Sequence, residues 1–510
     1  MGLFDDYFWP CLIFLWMCYL FEMYLAYRQR CLYKAVKTVP AELKDSLDQE
    51  TFDKSRLYQI DRSTFGFYSG VYSQCEITFF LLYGVFPWLW QVAGQLLHHV
   101  GYSEEYEIMR SIVFLLLMMF IGNITGLPWL VYETFVIEER HGFNKQTVKF
   151  FIWDQIKQVL VQLVLMPPII AGLVFFIQWG GEYFYVYTWV FVFVVTMVMA
   201  TVYPNFIAPL FDTYTPLPLG DLRTAIEQLA ASLHFPLKKL FVVDGSRRSS
   251  HSNAYFYGFW KNKRIVLYDT LLDEKLLKQV QDSVAANKKE EDKQKEERKE
   301  QQDETAMEED NDDTLPEEDT TMDDTKHEVQ SENKDDTSAE EKKDEVDKSK
   351  VKKHQGCDTD EILAVLAHEL GHWKMSHTLK HLVITQVNMF LMLFTFGYFM
   401  GQDLVFTSFG FHDGHPTMIG LFLVFQFIFS PYYQVLMFLM IQLTRRFEYQ
   451  ADKFAADLNK SDELMSALTK LHKDNLSFPI ADRLYSMFHH SHPTFLERVR
   501  ALAATSKKRD

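Results

Sequence analysis

The sequence predicts an all-α polytopic membrane protein of seven transmembrane helices, with a small extramembrane domain that contains a short β-sheet. Three observations lead there. Seven apolar runs are each about 20 residues long, enough to cross a hydrocarbon core of about 30 Å. The polar material is gathered between the fifth and sixth runs and after the seventh. The acidic balance, −17 over 510 residues, belongs mostly to one segment: residues 285–355 hold 27 Asp or Glu against 14 Lys or Arg. That segment contains no Phe, Tyr or Trp and a single leucine, Leu315. It cannot bury enough apolar surface to offset its chain entropy and is expected to be a disordered acidic loop.

The runs cover residues 8–27, 77–97, 111–132, 159–177, 183–206, 382–401 and 418–443, and only the first carries a charge, Glu22. That first run has no basic residue before it, lacks a small-residue cleavage site and is followed by Arg28, Arg30, Lys34 and Lys37. It reads as a retained span rather than a cleaved signal. With seven spans, the loops of one side contain Arg110 as their sole basic residue, while Arg140, Lys145, Lys149, the long fifth-to-sixth connection and the tail fall on the other. Basic loops stay cytosolic, so the N-terminus is expected in a lumen and the C-terminus in the cytosol. The terminal Lys507-Lys508-Arg509-Asp510 resembles a dilysine retrieval signal of the endoplasmic reticulum. Polar residues at membrane depth, among them Asn123, Gln162, Gln386, Asn388, Gln426 and Gln434, read individually as interhelical hydrogen-bonding groups and together allow a hydrated interior.

The organisation is then spans one to five over 1–208, a cytosolic segment over 209–284, the acidic loop over 285–355, a motif helix over 356–381, spans six and seven over 382–443, and a C-terminal segment over 444–510. In the cytosolic segment, Leu240-Phe241-Val242-Val243, residues 252–258 and residues 264–268 read as strands, the last two joined as a hairpin through Trp260 to Lys263. The strand holding Asn253, Ala254 and Tyr255 either offers an edge for an added peptide strand or simply packs its sheet on the motif helix.

Next comes His368-Glu369-Leu370-Gly371-His372. Residues four apart share a helix face, so His368 and His372 can offer two imidazoles to one metal with Glu369 beside them. Asp358 and Glu361 have capping-box spacing, and Ile362, Leu363, Val365, Leu366 and Leu370 supply an apolar face. No Pro or charged cluster separates His372 from span six, so the helix is expected to run on unbroken. His377 and His381 then fall off the ligand stripe and read as structural or interfacial. A catalytic zinc needs a third protein ligand and an open position. Glu448, just beyond span seven, fits that role, with Asp452 one turn on to orient a ligating imidazole. The alternative for both carboxylates is intrahelical pairing with Arg445 and Lys453. His489, His490 and His492 cluster near the C-terminus, and His492 could donate to an oxyanion.

No basic face stands clear of acids, so a nucleic-acid partner is not expected. Cysteines at 11, 18, 31, 75 and 357 contain no CxxC pair, which argues against a disulfide framework or a cysteine zinc site.

Several stretches together resemble the type I CAAX prenyl proteases, integral-membrane zinc endopeptidases of the endoplasmic reticulum and inner nuclear membrane. They are Glu138-Glu139-Arg140-His141-Gly142-Phe143-Asn144-Lys145, residues 203–211, residues 252–258, residues 368–373, residues 445–452 and Ser491-His492-Pro493. The resemblance is nearly full length. It implies a helical barrel around a hydrated chamber, with one Zn²⁺ per chain near the cytosolic end. It also implies removal of the last three residues from prenylated CAAX proteins or peptides, and it makes His492 and Asn253 site residues. The acidic loop is longer than is usual for that family. The expected mechanism has a zinc-activated water, held through His368, His372 and Glu448, with Glu369 as general base. The chain is expected to act as a monomer in the lipid bilayer. Two other readings are a membrane quality-control zinc protease acting on unprenylated proteins, and a transporter or scaffold with a structural HExxH.

Overall fold

The structure, a computed structural model, describes residues 6–103, 106–258, 262–283, 285–286 and 356–506. The chain divides into two units, Met1–Leu277 with Gln355–Asp510, and Lys278–His354. Of the second, the described residues are helical at 278–283 and 285–286. The rest of the acidic loop and the terminal Lys507 to Asp510 lie outside the described residues, as do residues 259–261 of the expected hairpin turn.

The first unit is predominantly helical. Its membrane-crossing candidates are α1 (Phe8–Ala35), α2 (Gln49–Leu82) with α3 (Val85–His99), α4 (Glu107–Tyr132), α5 (Val148–Trp179) and α6 (Phe184–Val202). After the polar segment come α8 (Thr359–Lys374), α9 (His377–Met400), α10 (Asp403–Thr407), α11 (Thr417–Leu423) and α12 (Ser430–Asp457), α7 (Asp221–Ser232) lying within that segment. Five described helices are long and apolar enough to span alone, and seven spans result if each of two bent pairs counts as one.

Those pairs correct two of the expected runs. Run 77–97 is broken between α2 and α3 by 67°. The break falls at Gly84, whose φ of +62° is a conformation glycine adopts without penalty. Run 418–443 is broken by 61° before Ser430, where Pro431 lacks the N–H needed to continue the ladder. Around the bends Phe86, Phe114, Phe396 and Phe427 form a buried aromatic core joining α3, α4, α9 and the α11–α12 junction. Large apolar side chains such as Phe120 and Val164 stand exposed on α4 and α5, a surface that hydrocarbon rather than water would solvate.

The polar segment folds as a four-stranded sheet in the order β1-β2-β4-β3, with β1 Tyr214–Pro216, β2 Leu237–Val243, β3 Ala254–Tyr257 and β4 Lys263–Tyr268. β2 and β4 pair in parallel and the other two pairings are antiparallel. The three expected strands are present; β1, at three residues, is too short to leave a pattern. β3 is an edge strand.

The C-terminal segment holds α13 (Ser461–Asp474), α14 (Arg483–His489) and α15 (Phe495–Ser506). It is tied to α1 by Arg28 to Asp482 at 2.8 Å and by Glu22 to His489 at 2.9 Å. The charge in the first span thereby acquires a partner.

Candidate metal centre

Helix α8 begins as its sequence requires. Asp358 accepts from the Glu361 N–H at 3.0 Å, and Glu361 accepts from the Asp358 N–H at 2.9 Å, a reciprocal cap that satisfies two otherwise orphaned donors. The same Glu361 carboxylate accepts from Ser466 Oγ and Lys470 Nζ of α13, each at 2.6 Å. The apolar face of α8, Ile362, Leu363, Val365, Leu366 and Leu370, is buried.

The ligand face of α8 meets α12 across a seam of small residues. Ala364 and Ala367 pack with Ala455 and Ala456. A Cβ on Gly371 would stand 3.1 Å from the Phe454 ring and 3.3 Å from the Ala451 Cα, so the absent side chain allows the helices to approach. Side chains about 80 residues apart in sequence thus share one small volume. His368, His372 and Glu448 each present a donor atom within 4.8 Å of the others.

Their geometry tests whether a metal fits. His368 Nε2 and His372 Nε2 are 3.2 Å apart, and Glu448 lies 3.5 Å from the first and 3.4 Å from the second. A tetrahedral ion with bonds of about 2.0–2.1 Å has ligand edges of about 3.3–3.4 Å. Glu448 is buried, and its Oε2 is approached by imidazole nitrogens, His492 Nδ1 at 2.9 Å and His368 Nε2 at 3.5 Å. Burial alone would lower the His368 imidazole, yet the Asp452 and Glu448 carboxylates push it up to about 9. The pocket therefore favours positive charge. Two imidazoles and one carboxylate around an open position form a donor set that zinc accepts.

Behind the ligands, Asp452 Oδ1 is 2.9 Å from His368 Nδ1 and is itself gripped by Arg498, whose Nε donates to Oδ2 at 2.9 Å. Arg445 does not pair with Glu448. It makes a two-pronged bond to Glu497 at 3.0 and 3.1 Å and donates to the His490 carbonyl, holding the loop that carries His492. His492 Nδ1 lies 2.9 Å from Glu448 Oε2, with its side chain two-thirds exposed and so open to a ligand. Glu369 follows His368 on α8, and burial pushes its carboxyl up from the usual range.

The expected substrate residues sit at the sheet edge. Asn253 is exposed just before β3; its side chain accepts from the Ala254 N–H and its carbonyl accepts from the Tyr268 N–H. Ala254 is buried, and Tyr255 meets Tyr214 hydroxyl to hydroxyl at 3.2 Å. β3 packs beside α8, with Phe235 wedged edge-on between Trp373 and Phe256. The sheet therefore both packs on the motif helix and presents an edge.

One expectation fails at the end of α8. The helix does not run into span six: it stops at Lys374, and Ser376 adopts φ +57°, a left-handed turn that caps the last carbonyls. The turn swings His377 back onto His372, ring nitrogen to ring nitrogen at 3.0 Å, a contact that agrees with the structural reading of this histidine. Sequence reasoning also passed over Arg498 and Gln450. Arg498 had a usable signal in its position beside the histidine cluster; Gln450 had none.

Among comparisons with known proteins, residues 28–213 match the family described as CAAX prenyl protease N-terminal, five membrane helices, and residues 216–506 match peptidase family M48. The CAAX prenyl protease 1 homologs of Mus musculus and Homo sapiens are each 49% identical to this chain, over 96% of it and 94% of their own length. The CAAX prenyl protease 1 of Saccharomyces cerevisiae is 32% identical over 96% of this chain and 93% of its own. The crystal structure of S. mikatae Ste24p superposes with a TM-score of 0.76 at 32% identity, covering 96% of this chain and 97% of that one.

Proposed function

Because the chain belongs to peptidase family M48, as a multi-pass membrane metalloprotease of the CAAX prenyl protease type, we propose that it removes the last three residues from proteins whose C-terminal cysteine carries a prenyl group. One zinc ion per chain, held by His368, His372 and Glu448, would supply a Lewis acid for water and the scissile carbonyl. The observation that carries the reading is the 3.2–3.5 Å triangle of donor atoms with Glu369 beside it.

The residues divide the remaining work. Glu369 takes the proton of the attacking water and returns it to the leaving amine; a carboxyl raised by burial is better matched to both transfers than an ordinary one. Asp452, fixed by Arg498, keeps a proton on His368 Nδ1 and leaves Nε2 free. His492, on a loop anchored by Arg445, donates to the oxygen that gains charge as the carbonyl is attacked. The open side of β3, at Ala254 and Tyr255 next to Asn253, binds the extended peptide by strand addition. The proposed setting is the endoplasmic-reticulum membrane, extending to the inner nuclear membrane, with the metal centre facing the cytosol, a hydrated chamber between the spans and the chain acting as a monomer.

Mass spectrometry of a synthetic CAAX peptide, with and without its prenyl group, incubated with the pure protein tests this directly. Loss of three residues from the prenylated peptide alone, abolished by a chelator and restored by zinc, is the expected result. Equal cleavage of both peptides would overturn the substrate assignment.

A further inference from the structure

A second hydrogen-bond path leaves His372 on the side away from the ligand triangle and ends on α12. His372 Nδ1 lies 3.0 Å from His377 Nδ1, and His377 Nε2 lies 2.9 Å from Gln450 Oε1. We propose that His377 is a positioning residue for the metal centre: it accepts the Nδ1–H of His372, is anchored in turn by Gln450, and fixes the tautomer and ring plane of the second imidazole. The proposal rests on the reading of His372 as a ligand.

The direction of each proton follows from the chemistry of the groups. A ligating Nε2 carries a lone pair, so neutral His372 holds its proton on Nδ1. The partner at 3.0 Å must then accept, which leaves His377 Nδ1 bare and puts its proton on Nε2. That proton meets Gln450 Oε1, an atom that only accepts. Every contact in the path is satisfied in this sense.

The ring is also immobilised. His377 is 2% exposed and stacks on Phe447 with centroids 3.9 Å apart and planes within 6°. Phe447 and Gln450 flank the ligand Glu448 on α12, so one helix turn supplies a metal donor, the stacking platform and the end of the relay. The left-handed turn at Ser376 is what brings His377 there. The two imidazoles are consequently supported differently. His368 is backed by a carboxylate paired with Arg498, and His372 by a neutral imidazole. A carboxylate behind both would add a further buried negative charge.

The test measures zinc affinity of the full chain in detergent by competition with a chromophoric chelator. His377→Phe keeps a ring over Phe447 but has no acceptor, and should bind zinc about 10–100-fold more weakly. His377→Gln restores an acceptor oxygen to His372 and should stay within about tenfold of wild type, well above the Phe variant. Gln450→Met, which cuts the far end without touching His377, should weaken binding in the same direction by less, and carries the test if His377→Phe fails to fold. With cobalt in place of zinc, the visible absorption bands should shift in His377→Phe and return in His377→Gln. Wild-type affinity in His377→Phe and Gln450→Met, or an equal loss in the Phe and Gln variants that reports packing alone, overturns the relay. His372→Ala separates this from the underlying reading: a failed relay leaves that variant without zinc, whereas full zinc binding by it would refute the ligand assignment itself.

Discussion

At the scale of single residues, the candidate metal centre brings His368, His372, Glu448 and Asp452 together in one small volume. Glu369 lies beside the ligand triangle and is not among the three donors that form it. Glu369→Gln should therefore leave metal content near one per chain and lower turnover by about 10²–10⁴-fold, read by metal analysis and peptide cleavage on the same sample. Loss of the metal in that variant would contradict the assignment. Away from the site, His472 is buried against the Phe495 ring, and burial holds its imidazole down at about 3. The unfolded chain takes up that proton near pH 6.5 while the folded chain refuses it until about pH 3, so the group leaves stability intact above pH 6.5 and reduces it as pH falls. At pH 5 the reduction is about 2 kcal/mol. Denaturation of the purified protein at pH 7 and pH 5 should show a smaller acid loss in His472→Phe than in wild type.

At the scale of elements, two devices place α8. Its capping box sets where the helix starts, and Gly371 sets how near it comes to α12. Removing the cap with Asp358→Ala should cost about 1 kcal/mol of stability with the metal still bound, because the ligands lie two or more turns further on. Gly371→Val is different in kind. Its Cβ and methyls would press on the Ala451 backbone, and such overpacking costs about 1–3 kcal/mol. The two halves of the ligand set lie on the two helices being separated, so zinc affinity should fall together with the melting temperature. A variant as tight as wild type would mean the seam is looser than its contacts indicate. Both the cap and the apolar stripe were legible in sequence because they are local. The stop at Ser376 was not: a serine in a left-handed conformation carries no mark comparable to glycine or proline, although a local bond from its N–H to the Trp373 carbonyl at 2.9 Å closes the turn.

At the scale of the whole molecule, the acidic insertion leaves and re-enters the chain at a closed base. Cys357 N–H donates to the Leu271 carbonyl at 2.7 Å, and Asp273 N–H donates to the Cys357 carbonyl at 3.1 Å. Gly356, at φ +55°, passes so close to the Leu272 carbonyl that a Cβ would stand 2.3 Å from its oxygen. The flanks are thus pinned independently of what lies between them. Replacing residues 285–355 with a short Gly-Ser linker should leave zinc affinity and turnover within about twofold of wild type, since the segment has almost nothing apolar to bury. A collapse of either would make the insertion part of the machinery.

The sequence by itself determined the number of apolar runs, the helical character of the motif and its cap, and it singled out His368, His372, Glu448 and Glu369 as the proposed donors and their acid neighbour. These follow from periodicity, from run length against bilayer thickness, and from the fixed chemistry of imidazole and carboxylate. Only the tertiary structure decided that runs two and seven are bent, that Arg445 turns to Glu497 rather than to Glu448, that Arg498 grips Asp452, and that His377 closes onto His372. At the two bends Gly84 and Pro431 mark where a break is permitted but not that one occurs; for the remaining contacts the reason is shared. These contacts join residues distant along the chain or across a helix break, and their energies come from burial and close approach that no local pattern encodes.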